Sequence, residues 1–340
     1  MAEEIKDLET ILENNPELEK KLKERAISST IEECCDEPDQ CMCDDGDYIE
    51  PQAEQQGVEE DAFAGDEEII KQEIQEGLDK EEQQAENPPS SLNVVEVTPL
   101  ELDDLPCVSV LMPTYERREF LPLVLYNISH LNYPPEKIEL VILDDSKDNP
   151  LFLDEEEVKF TAKTLRCDFN YYRESKKYKT LGEKRNKLVE LAKHKICINI
   201  DDDDLYMPSY IHYSVSLLKQ EKYGLVGSPQ MLYLYPEDDY KLCGNMTPHP
   251  TAIKEATMCF TKKYFNSMGG FKKTDINEGI KLLEHNEKNI GFTECALCMI
   301  SIAHKKNLID KEPFKNMEID GSLELTDDMK GLISSILKGD

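Results

Sequence analysis

Four consecutive aspartates, Asp201–Asp204, are the first candidates for chemistry in this sequence. Adjacent carboxylates repel each other, and two unit charges 4 Å apart cost about 4 kcal/mol at an effective dielectric constant of 20. A hard divalent cation removes that cost, and Mg²⁺ or Mn²⁺ typically binds one or two carboxylates together with substrate phosphates. On an extended backbone, alternate residues would share a face of the strand. The pattern predicts a cation site, against the alternative of a solvated acidic loop.

An acidic pair, Asp144-Asp145, and a basic segment, Lys176–Arg185, add binding groups of opposite charge. A carboxylate at a strand end can bind a nucleobase or a ribose hydroxyl, although Asp-Ser-Lys-Asp-Asn is also a good turn sequence. Lys184 and Arg185 lie near a predicted helix start, where N–H groups and basic side chains can hold a diphosphate. The alternative for this segment is an exposed basic face that pairs with the acidic N-terminal region.

Three apolar runs of strand length are each followed by polar residues. The runs are Val108–Met112, Ile138–Leu143 and Ile196–Ile200, and they resemble buried parallel strands. Helical segments are predicted between and after them, at Glu116–Leu131, Gly182–His194 and Pro208–Gln220. This alternation predicts an α/β fold with a mainly parallel sheet flanked by helices. Ligands of such sheets bind beyond the carboxyl ends of the strands, where the acidic groups are expected.

The charge distribution divides the sequence near Pro106. The chain has 340 residues and a net charge of −32, and residues 1–105 hold 34 acidic and 7 basic residues. This leader is too polar to offset its ordering entropy, so we predict that it is mostly disordered, with possible short helices. We expect a catalytic domain at 106–310 and a tail with a short helix at 311–340. Because the leader is strongly negative, it repels the phosphate backbone of nucleic acid, and we do not expect nucleic acid as a partner.

The sequence also indicates the cellular compartment in which the protein is found. We find no apolar run of about 18 residues, so no membrane-spanning segment is predicted. The N-terminus lacks the basic and apolar regions of a secretory signal, and the 11 cysteines are therefore expected to be reduced thiols. We predict a cytoplasmic protein.

Four segments in order resemble the family 2 glycosyltransferases of the GT-A fold. The segments are VSVLMPTYERREFL, IELVILDDSKDN, GEKRNKLVELAKHKICINIDDDDLYMP and SMGGF. The resemblance covers roughly Cys107–Asn307 and implies a Rossmann-like GT-A sheet. It also implies a hexosyltransferase-like reaction: sugar transfer with inversion from a nucleotide-diphosphate sugar, UDP-sugar by default, to an acceptor hydroxyl, with Mn²⁺ or Mg²⁺ as cofactor. The acceptor remains open among a glycan, a protein and a small molecule.

The resemblance further implies roles for individual residues. Tyr115 would stack on the base, Asp144 or Asp145 would bind the base or ribose, and Lys184 and Arg185 would contact the phosphates. The nucleotide-sugar site implied in this way comprises Pro113, Thr114, Tyr115, Glu116, Asp144, Asp145, Lys184, Arg185, Asp201 and Asp202. The implied metal ligands are Asp203, Asp201 and His304. A histidine after a strand can also be an ordinary structural residue, and that alternative stays open.

The sequence departs from this family after Gly269-Gly270-Phe271. Many members place an acidic pair, often Glu-Asp, about eight residues further on, and its carboxylate serves as the base. This chain has Glu278-Gly279 instead. We predict Glu278 as the catalytic base, because the apolar residues after it continue like the family's helix, and Asp275 as the second choice.

Two other functions compete with this interpretation. A nucleotidyltransferase would need a glycine-rich phosphate loop after the first strand, and the segment PTYERRE contains no glycine. A non-catalytic module on a degenerate transferase fold would bind a nucleotide sugar or a partner, with the acidic leader as an arm for a protein partner. The altered acidic pair keeps this second alternative open.

Overall fold

The computed structural model describes residues 96–245, 253–284, 287–315 and 325–337. The predicted disorder and short helices of the leader lie almost wholly outside the described residues. Within them, a 3₁₀ turn at Leu102–Asp104 precedes the first strand, which begins at Val108.

Eleven strands in the described part of the chain form two sheets. They are β1 (Val108–Thr114), β2 (Ile138–Asp144), β3 (Asp168–Arg173), β4 (Ile196–Asn199), β5 (Leu205–Tyr206), β6 (Leu225–Gly227), β7 (Met231–Tyr235), β8 (Lys241–Asn245), β9 (Cys259–Thr261), β10 (Ile290–Phe292) and β11 (Met299–Ile302). The larger sheet has the order β10-β6-β9-β4-β1-β2-β3, and the smaller has the order β5-β11-β7-β8. In the larger sheet every neighbouring pair is parallel except the two pairs made by β9. The predicted α/β fold with a mixed, mainly parallel sheet is confirmed.

Seven α-helices lie in the same described residues. They are α1 (Leu121–His130), α2 (Glu155–Leu165), α3 (Leu181–Leu191), α4 (Tyr210–Gln220), α5 (Lys262–Met268), α6 (Ile280–Leu283) and α7 (Asp327–Leu337). Helix α3 packs on β1 and β2, and α4 packs on β6 and β9. Among the described helices, none combines the length and apolar character needed to cross a membrane.

The three predicted helices are present with shifted ends: two begin later than predicted, and α3 ends at Leu191 rather than at His194. The helix predicted from Glu116 begins at Leu121, after a 3₁₀ turn at Arg118–Phe120. Pro122 lies in its first turn, where the missing N–H of proline is not needed. Helix α3 is capped by Thr180, whose hydroxyl accepts the N–H of Glu183 at 3.2 Å.

The sequence pattern missed α2 and β3. Helix α2 follows Asp154, whose Oδ1 accepts the N–H groups of Glu156 and Glu157 at 2.8 and 2.9 Å. Strand β3 (DFNYYR) lies at the edge of the sheet and has no buried residue. It therefore lacks the continuous apolar run by which buried strands are identified.

The register of the central strands brings their carboxyl ends to one edge. Thr114 pairs with Asp144 in the β1–β2 ladder, and Leu111 pairs with Asn199 in the β1–β4 ladder. Every residue of β1, β2 and β4 is buried, as expected for a parallel sheet with both faces covered. The loops after these strands therefore start from the same edge of the sheet.

The C-terminal helix α7 packs against the smaller sheet and α1. Its apolar residues are spaced for one face of a helix, and they are buried in a cluster with residues of α1, β5, β7 and β11. The α7 members of the cluster are Leu332, Ile333 and Ile336. This helix thus helps to hold the segment from which α1 begins, directly after the β1 loop.

Gly182, in the first turn of α3, allows a later loop to approach the helix closely. A Cβ atom at this position would lie 1.7 Å from the carbonyl oxygen of Lys272 and 3.1 Å from the Cβ of Glu278. The N–H of Gly182 donates to the carbonyl of Thr274 at 3.0 Å. The loop 272–279 is thereby fastened to the N-terminus of α3.

We expect Gly182→Ala to lower the free energy of unfolding by about 1–3 kcal/mol, the usual cost of an overpacked site. Gly331→Ala is the matched control, because Gly331 is exposed in α7 and a Cβ atom there would meet nothing within 4 Å. The control should gain up to about 1 kcal/mol from helix propensity. Chemical denaturation measures both variants, and equal stabilities would contradict the close-packing argument.

Candidate functional site

The four consecutive aspartates lie in a turn between β4 and β5, not on an extended strand. The predicted alternation of their side chains is therefore wrong, because it holds only for extended backbone. Asp202 and Asp203 contact the same guanidinium, that of Arg117, while Asp201 pairs with Arg185. The turn thus divides these three carboxylates between two cations, while Oδ1 of Asp204 lies 3.8 Å from Nζ of Lys311.

Arg117 joins the loop after β1 to the acidic turn. Its Nη1 lies 2.7 Å from Oδ1 of Asp202 and 3.0 Å from Oδ2 of Asp203. Burial raises the pKa of Asp202 to about 6, although Arg117 works against this shift. Burial also opposes the ionisation of Asp203, but Arg117 and a hydrogen bond from His304 outweigh it and hold the pKa of Asp203 well below its usual range. These partners favour the carboxylate form of Asp203.

His304 follows β11 and lies beside Asp203. Its Nε2 is 3.1 Å from Oδ2 of Asp203, and its side chain is 1% exposed. The ring of Phe120 packs against the imidazole, with ring centres 4.7 Å apart. Asn307 accepts the backbone N–H of His304 at 2.8 Å through its Oδ1. The imidazole is thereby fixed with one nitrogen toward the acidic turn.

The pair of Asp203 and His304 fits a hard divalent cation whose other ligands come from a substrate. Across residues 96–245, 253–284, 287–315 and 325–337, no three or more His, Cys, Asp or Glu side chains form a group that could hold a metal ion alone. Mg²⁺ commonly uses only one or two carboxylates together with phosphate oxygens. Asp201, the other predicted metal ligand, has its carboxylate engaged by Arg185.

A second buried charge cluster consists of Arg185, Asp201 and Glu278. The Nη2 of Arg185 contacts the two oxygens of Asp201 at 2.9 and 3.1 Å, and Nε donates to Oε1 of Glu278 at 2.9 Å. Arg185 is 2% exposed, and its Nη1 has no hydrogen-bond partner among the described residues. An unpaired buried donor is costly, so a ligand oxygen that reached this nitrogen would satisfy it.

Of the two predicted bases, Glu278 is the one that belongs to this cluster. Burial, and then the charge of Glu255, raises the pKa of Glu278 to about 8, while Arg185 lowers it. Asp275 instead accepts the N–H of Leu181 at 2.7 Å through its Oδ1. That contact satisfies one of the free N–H groups at the start of α3. Neither assignment as a base is tested by these contacts, and both stay predictions.

Asp145 and Lys184 form a buried ion pair that fastens α3 to the strand ends. The Nζ of Lys184 contacts Oδ1 of Asp145 and donates to the carbonyl of Thr114. The other oxygen of Asp145 accepts the N–H of Tyr178 at 2.7 Å. Burial lowers the pKa of Lys184, against the opposing charge of Asp145. Both charged groups thus have protein partners at the strand ends.

Asp144 organises the loop after β2. Its Oδ1 accepts the N–H of Ser146 at 2.8 Å. Its Oδ2 accepts the N–H of Leu151 at 2.8 Å and the hydroxyl of Tyr171 at 2.6 Å. These contacts correspond to the turn alternative considered from the sequence, and they make Asp145 the member of the acidic pair that faces α3.

The loop after β1 presents Tyr115 and Glu116. The carboxylate of Glu116 accepts three successive N–H groups of residues 147–149, at 2.6, 3.0 and 2.5 Å. Although burial opposes the shift, these N–H groups lower the pKa of Glu116. Tyr115 is 37% exposed, and the Nζ of Lys177 lies 4.1 Å from its ring centre. Pro113–Thr114 are buried at the end of β1.

The sequence interpretation missed several residues that shape the site. Arg117 is one of them, and its place in the basic pair after the first strand was an available signal. Asn127 donates to the carbonyl of Asp204 at 2.8 Å and accepts the N–H of Tyr206 at 3.0 Å. The carboxylate of Asp204 accepts the hydroxyl of Ser301 at 2.9 Å. Nothing in the sequence indicates that a polar residue in the middle of α1 holds the acidic turn.

Comparisons with known proteins give a family match and similarities to solved structures. No match was found among proteins of curated function. The mannosyltransferase PcManGT from Pyrobaculum calidifontis, in complex with GDP-Man and Mn²⁺, is 18% identical, with a TM-score of 0.48 over 70% of this chain and 67% of that chain. S. aureus TarS 1–349 in complex with UDP-GlcNAc is 13% identical, with a TM-score of 0.45 over 61% of this chain and 63% of that chain. The match thus spans less than two thirds of the TarS fragment.

A sequence profile of a known family also matches this chain. The sequence profile described as glycosyl transferase family 2 matches residues 109–290, which is more than half of the 340 residues. The matched region runs from β1 to β10 and includes the acidic turn, Arg185 and Glu278. The resemblance drawn from the sequence motifs, including the GT-A type of fold, is confirmed. The chain belongs to glycosyl transferase family 2.

Proposed function

We propose that this protein transfers a sugar from a nucleotide-diphosphate sugar to an acceptor hydroxyl, with inversion and with the help of a divalent cation. The observation that carries the proposal is the convergence of two buried charge clusters on one acidic turn. The first cluster joins Arg117, Asp203 and His304, and the second joins Arg185 and Asp201. The clusters lie beyond the carboxyl ends of the central strands, where α/β sheets bind ligands. Membership of the family supports the class of reaction.

The nucleoside of the donor would lie against the loop after β1. Tyr115 exposes its ring there, and an aromatic face can stack on any base. Asp145 borders this loop through its contact with Lys184, which also holds the carbonyl of Thr114. We assign Asp145 to the base or ribose, and UDP is the default nucleotide of the proposal.

The diphosphate would lie between the two charge clusters. Arg185 offers its unpartnered Nη1 to a phosphate oxygen, and Arg117 supplies a second positive charge. Asp203 and His304 would hold Mn²⁺ or Mg²⁺. When bound there, such an ion neutralises negative charge on the departing diphosphate. The fixed guanidinium groups need little rearrangement to do the same, and this preorganisation favours the transition state.

Inversion requires one displacement at the anomeric carbon. The acceptor oxygen attacks from the side opposite the diphosphate, whose bond to the carbon breaks with its electron pair. The proton of the acceptor hydroxyl passes to a carboxylate acting as general base. Glu278 is the candidate from the sequence, and the contact of Asp275 with the start of α3 makes Asp275 the weaker one.

A non-catalytic binding module is the second candidate function, and Gly279 is the observation that favours it. A screen of nucleotide sugars for metal-dependent release of the nucleoside diphosphate, paired with calorimetry of UDP and Mn²⁺ binding, separates the two. Binding with release supports a transferase, and binding without release supports the module. Absence of both binding and release would contradict the transferase and would leave only a module that binds a partner other than a nucleotide sugar.

Asp203→Asn should lower metal-dependent release by about 100-fold or more, a common cost of losing one electrostatic stabiliser of the transition state. The fold should persist, because the asparagine keeps the shape of the side chain. Asp238→Asn is the control, since the Asp238 side chain is 50% exposed and lies outside the site. Initial rates with saturating donor give the comparison, and a fully active Asp203→Asn enzyme would refute the metal assignment.

Arg117→Ala should raise the affinity of the donor-free protein for Mn²⁺ by about tenfold, which corresponds to about 1.4 kcal/mol. The reason is that the guanidinium competes with the ion for Asp202 and Asp203. The affinity is obtained from a Mn²⁺ titration in which electron paramagnetic resonance measures the concentration of the free ion. Lys159→Ala, on the exposed surface of α2, serves as the control. Unchanged or weaker Mn²⁺ binding by the Arg117 variant would mean that the ion does not use these carboxylates.

A further inference from the structure

The side chain of Glu255 fills the space that a side chain at position 279 would need. A Cβ atom on Gly279 would lie 2.9 Å from Cγ and 3.0 Å from Oε1 of Glu255. The N–H of Gly279 donates to the same Oε1 at 2.9 Å. A carboxylate from a different segment of the chain therefore stands where an acidic residue at position 279 would begin.

Glu255 is held beside the acidic turn by its own backbone and by that of its neighbour. Its carbonyl accepts the side-chain amide of Asn199 at 2.8 Å, at the end of β4. The carbonyl of Ala256 accepts the hydroxyl of Tyr206 at 3.1 Å, and this hydroxyl accepts the N–H of Asp201 at 2.8 Å. The segment that carries Glu255 is thus tied at two points to the strand and turn that form the candidate site.

Glu255 is better placed than Glu278 to accept a proton from a substrate. The side chain of Glu278 is 3% exposed, and its Oε1 is engaged by Arg185 at 2.9 Å. Glu255 is partly exposed, and among the described residues its Oε2 accepts no hydrogen bond. The charged groups that face it from the packed elements are Glu278, on the loop before α6, and Arg185, on α3.

We infer that Glu255 is the general base of the transfer, in the position that a carboxylate at residue 279 would otherwise occupy. The inference rests on the proposed function. In the step, the acceptor oxygen forms a bond to the anomeric carbon, and the bond to the diphosphate oxygen breaks and leaves its electron pair there. The hydroxyl proton moves to the free oxygen of Glu255. Glu278 then acts as a positioning residue, because it holds Arg185 toward the diphosphate.

The first test replaces the two glutamates separately. Glu255→Gln keeps an oxygen for the N–H of Gly279 but cannot take a proton, so kcat for transfer should fall by about 100-fold or more. The KM for the donor and the calorimetric affinity for UDP with Mn²⁺ should stay within about threefold, since the base contacts the acceptor and not the donor. Glu278→Ala should instead weaken donor binding, because it removes the oxygen that accepts from Nε of Arg185 and holds the guanidinium in place.

The second test moves the carboxylate back to position 279. Glu255→Ala removes the group that a Cβ at Gly279 would meet, apart from the flexible Cε of Met258, which lies 2.6 Å away. The double variant Glu255→Ala with Gly279→Asp should therefore recover kcat to within about tenfold of the unsubstituted protein, a residual loss that reflects imperfect placement of the base. Glu255→Ala with Gly279→Asn has nearly the same shape and lacks the carboxylate, so it should stay inactive.

The outcomes separate this inference from the function on which it rests. Transfer by the unsubstituted protein together with a fully active Glu255→Gln variant would overturn the inference alone. Equal recovery with Asp and Asn at position 279 would also overturn it, since the effect would then be one of packing. If the unsubstituted protein neither binds UDP with Mn²⁺ nor releases it from any nucleotide sugar, the proposed function is overturned and the inference with it.

Discussion

The concentration of buried carboxylates at one edge of the sheet is the constraint on which the site depends. Asp144, Asp145, Asp202 and Asp203 are each at most 7% exposed. An uncompensated buried charge costs several kcal/mol, so each of these groups needs a cation or a set of hydrogen-bond donors in a fixed position. Asp144 uses N–H and hydroxyl donors, and the others use positively charged side chains from elsewhere in the chain. The charges therefore specify how loops and helices dock on the strand ends.

Helix α3 meets this constraint with two adjacent residues. Consecutive positions on an α-helix point about 100° apart, so neighbouring side chains can serve different partners. Lys184 reaches Asp145 after β2, and Arg185 reaches Asp201 after β4. The close contact at Gly182 brings the Glu278 loop onto the same helix. One helix thus sets the spacing between the region assigned to the nucleoside and the region assigned to the diphosphate, which makes α3 the reference element of the site.

The local features of this protein could be predicted from its sequence, and the pairings could not. Apolar runs identified the central strands, and the polar groups after them indicated which edge binds a ligand. The pairing of Arg117 with Asp202 joins residues 85 positions apart, and no local pattern encodes it. The turn conformation of the four aspartates depends on contacts such as the one from Asn127 in α1, which lies 77 positions before Asp204. The polar edge strand β3 was missed because its stability comes from pairing with β2 and not from burial.

The same distinction explains why a changed motif need not mean a changed chemistry. Proton transfer depends on the position of a carboxylate in space, and a carboxylate can reach one point from more than one place in the chain. At position 279 the glycine has no side chain, yet the oxygen of Glu255 lies 3.0 Å from where a Cβ atom would be. A glycine at this position is also what allows Glu255 to approach, since any side chain would collide with it. The absence of the acidic residue and the presence of Glu255 are therefore two aspects of one packing arrangement. The carboxyl group in this part of the fold is supplied by the segment before β9.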